Sequence, residues 1–101
     1  MKVVNGRVKR LWTASGRAEK DGKTLMLSAF SVNDPVIRLG DLSTESGRNI
    51  QEGYMHLFAG SMQGVRNPKA HDLVTISAER SLHFLVLASL LMFTLDNAGA
   101  A

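Results

Sequence analysis

Apolar residues recur along this chain with helical spacing at its two ends and in its middle, separated by short polar stretches. Val4, Val8 and Leu11 fall on one stripe with Trp12 beside them, while Lys2, Lys9, Arg10 and Arg17 fall on the other side. That pattern predicts an amphipathic helix over residues 2–16, stopped by Gly16. Residues 17–23 are polar and read as a loop, and the short apolar run 24–30 predicts a helical turn or two. Asn33-Asp34-Pro35 predicts a turn, because the proline ring fixes its own φ and pushes Asp34 toward extended geometry; Val36 to Leu39 then reads as a short strand, closed by Gly40 and Asp41.

From Thr44 or Ser46 to Arg66 the spacing of Ile50, Tyr54, Leu57, Phe58, Ser61 and Val65 predicts a second amphipathic helix. Gly53, Gly60 and Gly64 lie within about 40° of one another on it, at a cost of roughly 0.5–1 kcal/mol each relative to Ala. A close crossing by another helix of the same chain, a subunit interface, or backbone turned to a ligand would each offset that cost. Asn67-Pro68 marks a boundary, with Asn67 placed to cap a short helix carrying His71. A last helix is predicted from Thr75 or Ser77 to Asn97, with Glu79 near its positive end and Gly99 just past its stop. Its apolar residues, among them Leu82, Leu85, Val86, Leu90, Leu91, Phe93 and Leu95, leave no polar face after His83. Burial on every side is therefore expected, and a homodimer would supply it.

Composition narrows the class. The chain has 101 residues, is 45% hydrophobic and 21% charged, and contains no Cys. That excludes a disulfide framework, a thiol nucleophile and a cysteine metal site, leaves one domain, and makes the cytoplasm the expected compartment. A domain of this size hides roughly 60–70% of the surface of its unfolded chain, so its core is thin. The net charge of +3 is an amino-terminal property: residues 1–23 hold seven Lys or Arg against Glu19 and Asp21. The face made by Lys2, Lys9, Arg10 and Arg17 suits either a phosphate backbone or plain solvation. The longest greasy stretch, Phe84 to Leu95, falls short of the roughly 18–20 residues a membrane span requires, so no membrane partner is expected.

The candidate chemistry sits in Arg66-Asn67-Pro68-Lys69-Ala70-His71-Asp72. A guanidinium offers a planar, permanently charged fork to phosphate oxygens, and an imidazole takes or gives a proton near neutrality. The spacing alone is unspecific: with seven Arg and three His in the chain, about 0.2 such pairs arise by chance. Arg66 favouring the negative end of its helix, Asn67 capping and His71 as a satisfied histidine account for the same residues. Trp12 reads as a core or interface anchor, and the five Met as core filling.

Other segments add specificity. Leu25-Met26, Ala29-Phe30-Ser31, Gln51-Glu52-Gly53-Tyr54-Met55-His56-Leu57-Phe58, Gly60, Arg66-Asn67-Pro68-Lys69-Ala70-His71, Leu87-Ala88-Ser89-Leu90-Leu91 and Leu95-Asp96 together resemble the Ymh family of bacterial proteins over residues 24–98. That family is similar to the HEPN superfamily, whose hallmark of an Arg, a polar residue after it and a His a few positions on is matched by Arg66, Asn67 and His71. The resemblance implies an all-α, HEPN-like bundle of four to five helices with a short β or extended insertion near Pro35, and a dimer in which two motifs face one another across a cleft. It also implies a metal-independent endoribonuclease of a defence or toxin-antitoxin system, with Arg66, Asn67 and His71 catalytic and RNA as substrate. No cofactor or metal is expected. An antitoxin or defence-system protein is the expected partner, and His56, Lys69 and Glu52 are the candidates for cleft or RNA contacts. Glu52 reads foremost as a structural partner of Arg48 or Arg66. Such proteins usually carry a longer region ahead of this domain, so a substrate-selecting or regulatory part is expected to be missing. A non-catalytic RNA- or nucleotide-binding, or oligomerisation, module is the alternative.

Overall fold

The computed structural model describes residues 1–64 and 78–100. Its elements are α1 (Lys2–Ala14), α2 (Gly22–Ala29), β1 (Ile37–Arg38), α3 (Glu45–Gly64), α4 (Ala78–Asp96) and β2 (Gly99–Ala100). The fold is all-α, and the strands form one antiparallel pair, with Ile37 opposite Ala100 and Arg38 opposite Gly99. Among the described residues the predicted helices and the short extended piece after Pro35 have counterparts, within a few residues of the expected limits, while the short helix expected after Pro68 lies outside them.

Local chemistry explains the boundaries. Gly16, at φ 82°, adopts the left-handed geometry that lets the chain leave α1. Asp21 caps α2, its Oδ1 accepting from the Gly22 N–H at 2.8 Å. The buried Asn5 of α1 ties the two helices: its Nδ2 donates to Asp21 Oδ1 at 2.7 Å and its Oδ1 accepts from Gly22 N–H at 3.2 Å. One expectation shifts here. Val4, Val8 and Trp12 form the buried stripe of α1, while Leu11 is partly exposed. The indole Nε1 donates to the Ala18 carbonyl at 2.7 Å, so the larger ring turns inward with its polar edge satisfied.

The core joins α1, α2, β1, the inner face of α3 and the last turns of α4. Leu25, Met26, Ala29, Phe30, Ile37, Phe58 and Leu91 are buried. Phe30 and Phe58 stack with ring centroids 4.3 Å apart. At the centre of this apolar zone lies a polar residue, Gln51, with no exposed surface. Its Nε2 donates to the carbonyls of Phe30 and Ile37, each at 2.9 Å, and its Oε1 accepts from Leu39 N–H at 2.8 Å. One side chain thereby satisfies three backbone groups that have no helical partner, as a buried amide must.

The outer sides of α3 and α4 differ from expectation. No atom of a crossing helix lies within 4 Å of where a Cβ would stand on Gly53, Gly60 or Gly64. The intrachain crossing considered for these glycines is therefore absent among the described residues. α4 buries Leu91 and Leu95 but leaves Leu82, Leu85, Val86, Leu90 and Phe93 exposed, so among the described residues this helix is covered on one side only.

Candidate functional site

Gly64 ends α3 and Ala78 begins α4. The motif residues Arg66, Asn67 and His71, with Lys69 and the short helix expected after Pro68, fall between them and lie outside the described residues. What the structure gives is the frame that receives this segment: the last turns of α3 on one side and the first turns of α4 on the other.

On α3, Glu52 and His56 stand one turn apart on the solvent side. His56 Nε2 lies 3.8 Å from Glu52 Oε1, and both side chains are largely exposed. His83 and Glu79 repeat the arrangement on α4 at 3.9 Å, with the His again four residues after the Glu. Exposed pairs at this spacing contribute a few tenths of a kcal/mol at most. Glu52 thus meets His56 and not Arg48, whose guanidinium donates to the Leu42 carbonyl at 3.1 Å, and the other expected partner, Arg66, lies outside the described residues. Both Glu52 and His56 remain open to a ligand.

Half of the expected basic face is spent on internal pairs. Lys9 faces Glu19 at 3.1 Å and Asp21 at 4.0 Å, Arg17 pairs with Asp34 at 2.9 Å, and Arg7 pairs with Asp96 of α4. Arg17 and Lys20 also sit over the Trp12 ring, 5.3 and 5.4 Å from its centroid. These contacts fasten the loop after α1 and the end of α4 to the body. Of the seven amino-terminal cations, Arg7, Lys9 and Arg17 thus serve the fold, while Lys2 and Arg10 of the expected face have no ion pair among the described residues.

Of the hollows of small-molecule size among the described residues, two border α3 or α4. One, of about 640 Å³, runs along the outer face of α3 between Glu45, Asn49, Ile50, Gly53, Tyr54 and Leu57. The other, of about 560 Å³, lies between α1, β1 and the end of α4, with Val36, Ile37 and Leu95 as floor and Arg7 and Arg10 at its rim. For the first, sequence reasoning offered backbone turned to a ligand at Gly53 as one option; the second it missed. The first had a signal, since Ile50, Gly53, Leu57, Gly60 and Gly64 follow a three-four spacing; the second joins residues too distant in the chain to leave one. Among the described residues no group of three or more His, Asp or Glu converges as a metal centre requires. No helix among them is long and apolar enough to cross a membrane.

Fold and frame define an all-α domain whose longest helices, α3 and α4, bracket a polar Arg-Asn-x3-His segment in the sequence, with α4 keeping a row of exposed apolar side chains. The family model described as a protein of unknown function, Hypoth_ymh, matches residues 1–95. The chain belongs to this Ymh family, and the match takes in α1 as well as the bundle behind it. Neither the curated proteins nor the solved structures contain a match to this chain.

Proposed function

We propose that this chain is a metal-independent endoribonuclease of a bacterial defence or toxin-antitoxin system, acting as a dimer in which two Arg66/Asn67/His71 sets share one cleft. The observation that carries the reading is the position of the motif. In the sequence it occupies the connection between α3 and α4, and α4 keeps exposed apolar side chains, Leu82, Leu85, Val86, Leu90 and Phe93, that a second chain would cover; the proposed dimer sets two copies of the connection side by side. The similarity of the Ymh family to HEPN domains supports the same roles.

The chemistry requires such a pairing. The 2′-oxygen attacks the adjacent phosphorus, its proton passes to one imidazole, and the bond to the 5′-oxygen breaks as that oxygen takes a proton from a second imidazolium. The products are a 2′,3′-cyclic phosphate and a 5′-hydroxyl. His71 of one chain and the partner subunit's His71 fill the two roles, Arg66 stabilises charge on the phosphoryl oxygens, and Asn67 orients the imidazole or a phosphate oxygen. Lys69 adds a phosphate contact, and Glu52 and His56 border the RNA path. An antitoxin or defence-system protein would regulate the site.

RNA incubated with the full chain in EDTA tests the proposal. Cleavage giving cyclic phosphate ends is expected, with a loss of about 100-fold or more in His71→Ala. Absence of cleavage, or cleavage that survives this substitution, rejects it. The open glycines of α3 favour one alternative, a non-catalytic binding or oligomerisation module, for which His71→Ala leaves function intact.

A further inference from the structure

We infer that the hollow between α1, β1 and the end of α4 binds a small carboxylate with an aliphatic body. The inference goes beyond the ribonuclease reading and rests on none of it. Leu95, on the floor of the hollow, stands in the last turn of α4, whose 19 residues at about 1.5 Å each place it roughly 25 Å from the end that the motif's connection enters.

Three segments far apart in the chain build this hollow. α1 gives it one face, on which Arg7, Leu11 and Ala14 follow one another at four- and three-residue spacing with Arg10 alongside. Val36 and Ile37 come from the extended piece after Pro35, and Leu95 and Ala98 from the end of α4. Leu11 is the residue whose place in the buried stripe Trp12 takes, and 37% of its surface stays exposed. Its position on the wall of the hollow gives that apolar surface something to contact. The volume, about 560 Å³, is that of a small-molecule site.

The lining sets the chemistry of the occupant. Its apolar members, Leu11, Ala14, Val36, Ile37, Leu95 and Ala98, are all aliphatic. No ring is present to stack on a base or an aromatic acid, whereas an alkyl body is held by burial alone. The polar members are Arg7, Arg10 and Ser15. The Ser15 hydroxyl donates to the Trp12 carbonyl, which leaves the two guanidiniums for a head group. Arg7 pairs with Asp96, and Arg10 has no ion pair among the described residues. Two positive charges thus stand against one negative, and the single charge left over matches a carboxylate and not a phosphate dianion. A guanidinium fork meets a carboxylate bidentately. An aliphatic floor beneath a charged, water-facing rim therefore calls for an amphipathic monoanion.

Isothermal titration calorimetry of the full chain with sodium octanoate is the test, with circular dichroism of each variant in parallel. Saturable one-to-one binding is expected. Acetate, the head without the body, is expected to give no heat of binding. Octylammonium, a body of the same length with the opposite charge, is expected to bind more weakly by about tenfold or more. Arg10→Gln, at the exposed rim, is expected to weaken octanoate about tenfold while keeping the helical signal, because a charge-assisted hydrogen bond is lost. Leu11→Asp, which sets a carboxylate on the wall, is expected to abolish binding. No saturable octanoate binding, equal affinity for octylammonium, or an affinity that Arg10→Gln leaves unchanged would each overturn the inference. Inorganic phosphate binding as tightly as octanoate would overturn it too, by assigning the rim to a bare anion. RNA cleavage is scored separately: its absence leaves this site standing, and absence of octanoate binding leaves the ribonuclease reading standing.

Discussion

The two faces of α3 use the same residue type in opposite ways. At Gly47, on the inner side near the amino end, a Cβ would collide with the Asp41 carbonyl, and one on Gly40 would stand 2.9 Å from the Gly47 carbonyl oxygen. Here glycine exists because two backbones touch, and the close approach seats α3 on the loop after β1. On the outer side Gly53, Gly60 and Gly64 face open space, so nothing described within the chain explains their cost to the helix. Gly47 belongs to the packing of one chain. Gly60 has no such contact among the described residues.

The contrast can be broken or sharpened by mutation. The largest effect is expected deep on the inner face, where Gln51→Leu leaves two carbonyls and one N–H buried without partners. A loss of roughly 2–4 kcal/mol in urea unfolding is expected, and an unchanged midpoint would show that the latch among Phe30, Ile37 and Leu39 is dispensable. The glycines should next give opposite signs. Gly47→Ala should cost about 1–3 kcal/mol through overpacking against backbone, whereas Gly60→Ala, measured under dilute conditions where the chain is single, should stabilise by about 0.5–1 kcal/mol through helix propensity. Equal signs would erase the distinction between the faces.

The smallest effect lies at the loop that Gly47 seats. The Ser43 hydroxyl and Ser43 backbone N–H both donate to Asp41 Oδ1, at 2.6 and 3.0 Å. These bonds, hydroxyl foremost, hold the carboxyl below its ordinary value of 3.8, aided weakly by Arg38. A carboxyl depressed in the folded state contributes stability above its unfolded value and loses it as the pH falls through the folded one. Acidification from about pH 5 to below 3.8 should therefore lower the urea midpoint slightly, and Asp41→Asn should remove that increment. An acid limb of the same steepness in the variant would assign the pH dependence to other carboxylates.

Much of the architecture was legible because helices declare themselves by spacing. The stripe of α1, the stop at Gly16, the extended piece after Pro35 and the span of α4 follow from local periodicity and turn chemistry, whereas the arc expected on α3 is rotated: Ile50 and Leu57 are exposed and Gln51, Ala59 and Met62 join Phe58 and Ser61 on the buried side. The details that differ are those in which neighbours compete for the same space. Trp12 rather than Leu11 completes the buried stripe of α1 because the Ala18 carbonyl meets its indole N–H. Lys9 and Arg17 form no free basic face because Glu19, Asp21 and Asp34 fold back onto them. Of the candidate site, Glu52 and His56 are placed and exposed, while Arg66, Asn67, Lys69 and His71 fall outside the described residues.

By itself the sequence determined the helical class, the order of the elements, the single apolar helix at the end and the motif between α3 and α4, since each depends on residues within a few positions of one another. Only the tertiary structure decided which side of α3 faces the core, that Gln51 stitches three backbone groups there, and that α4 keeps an uncovered apolar stripe. Those outcomes depend on which surfaces compete for the same buried volume. A chain this short encloses only enough volume to cover one face of each long helix.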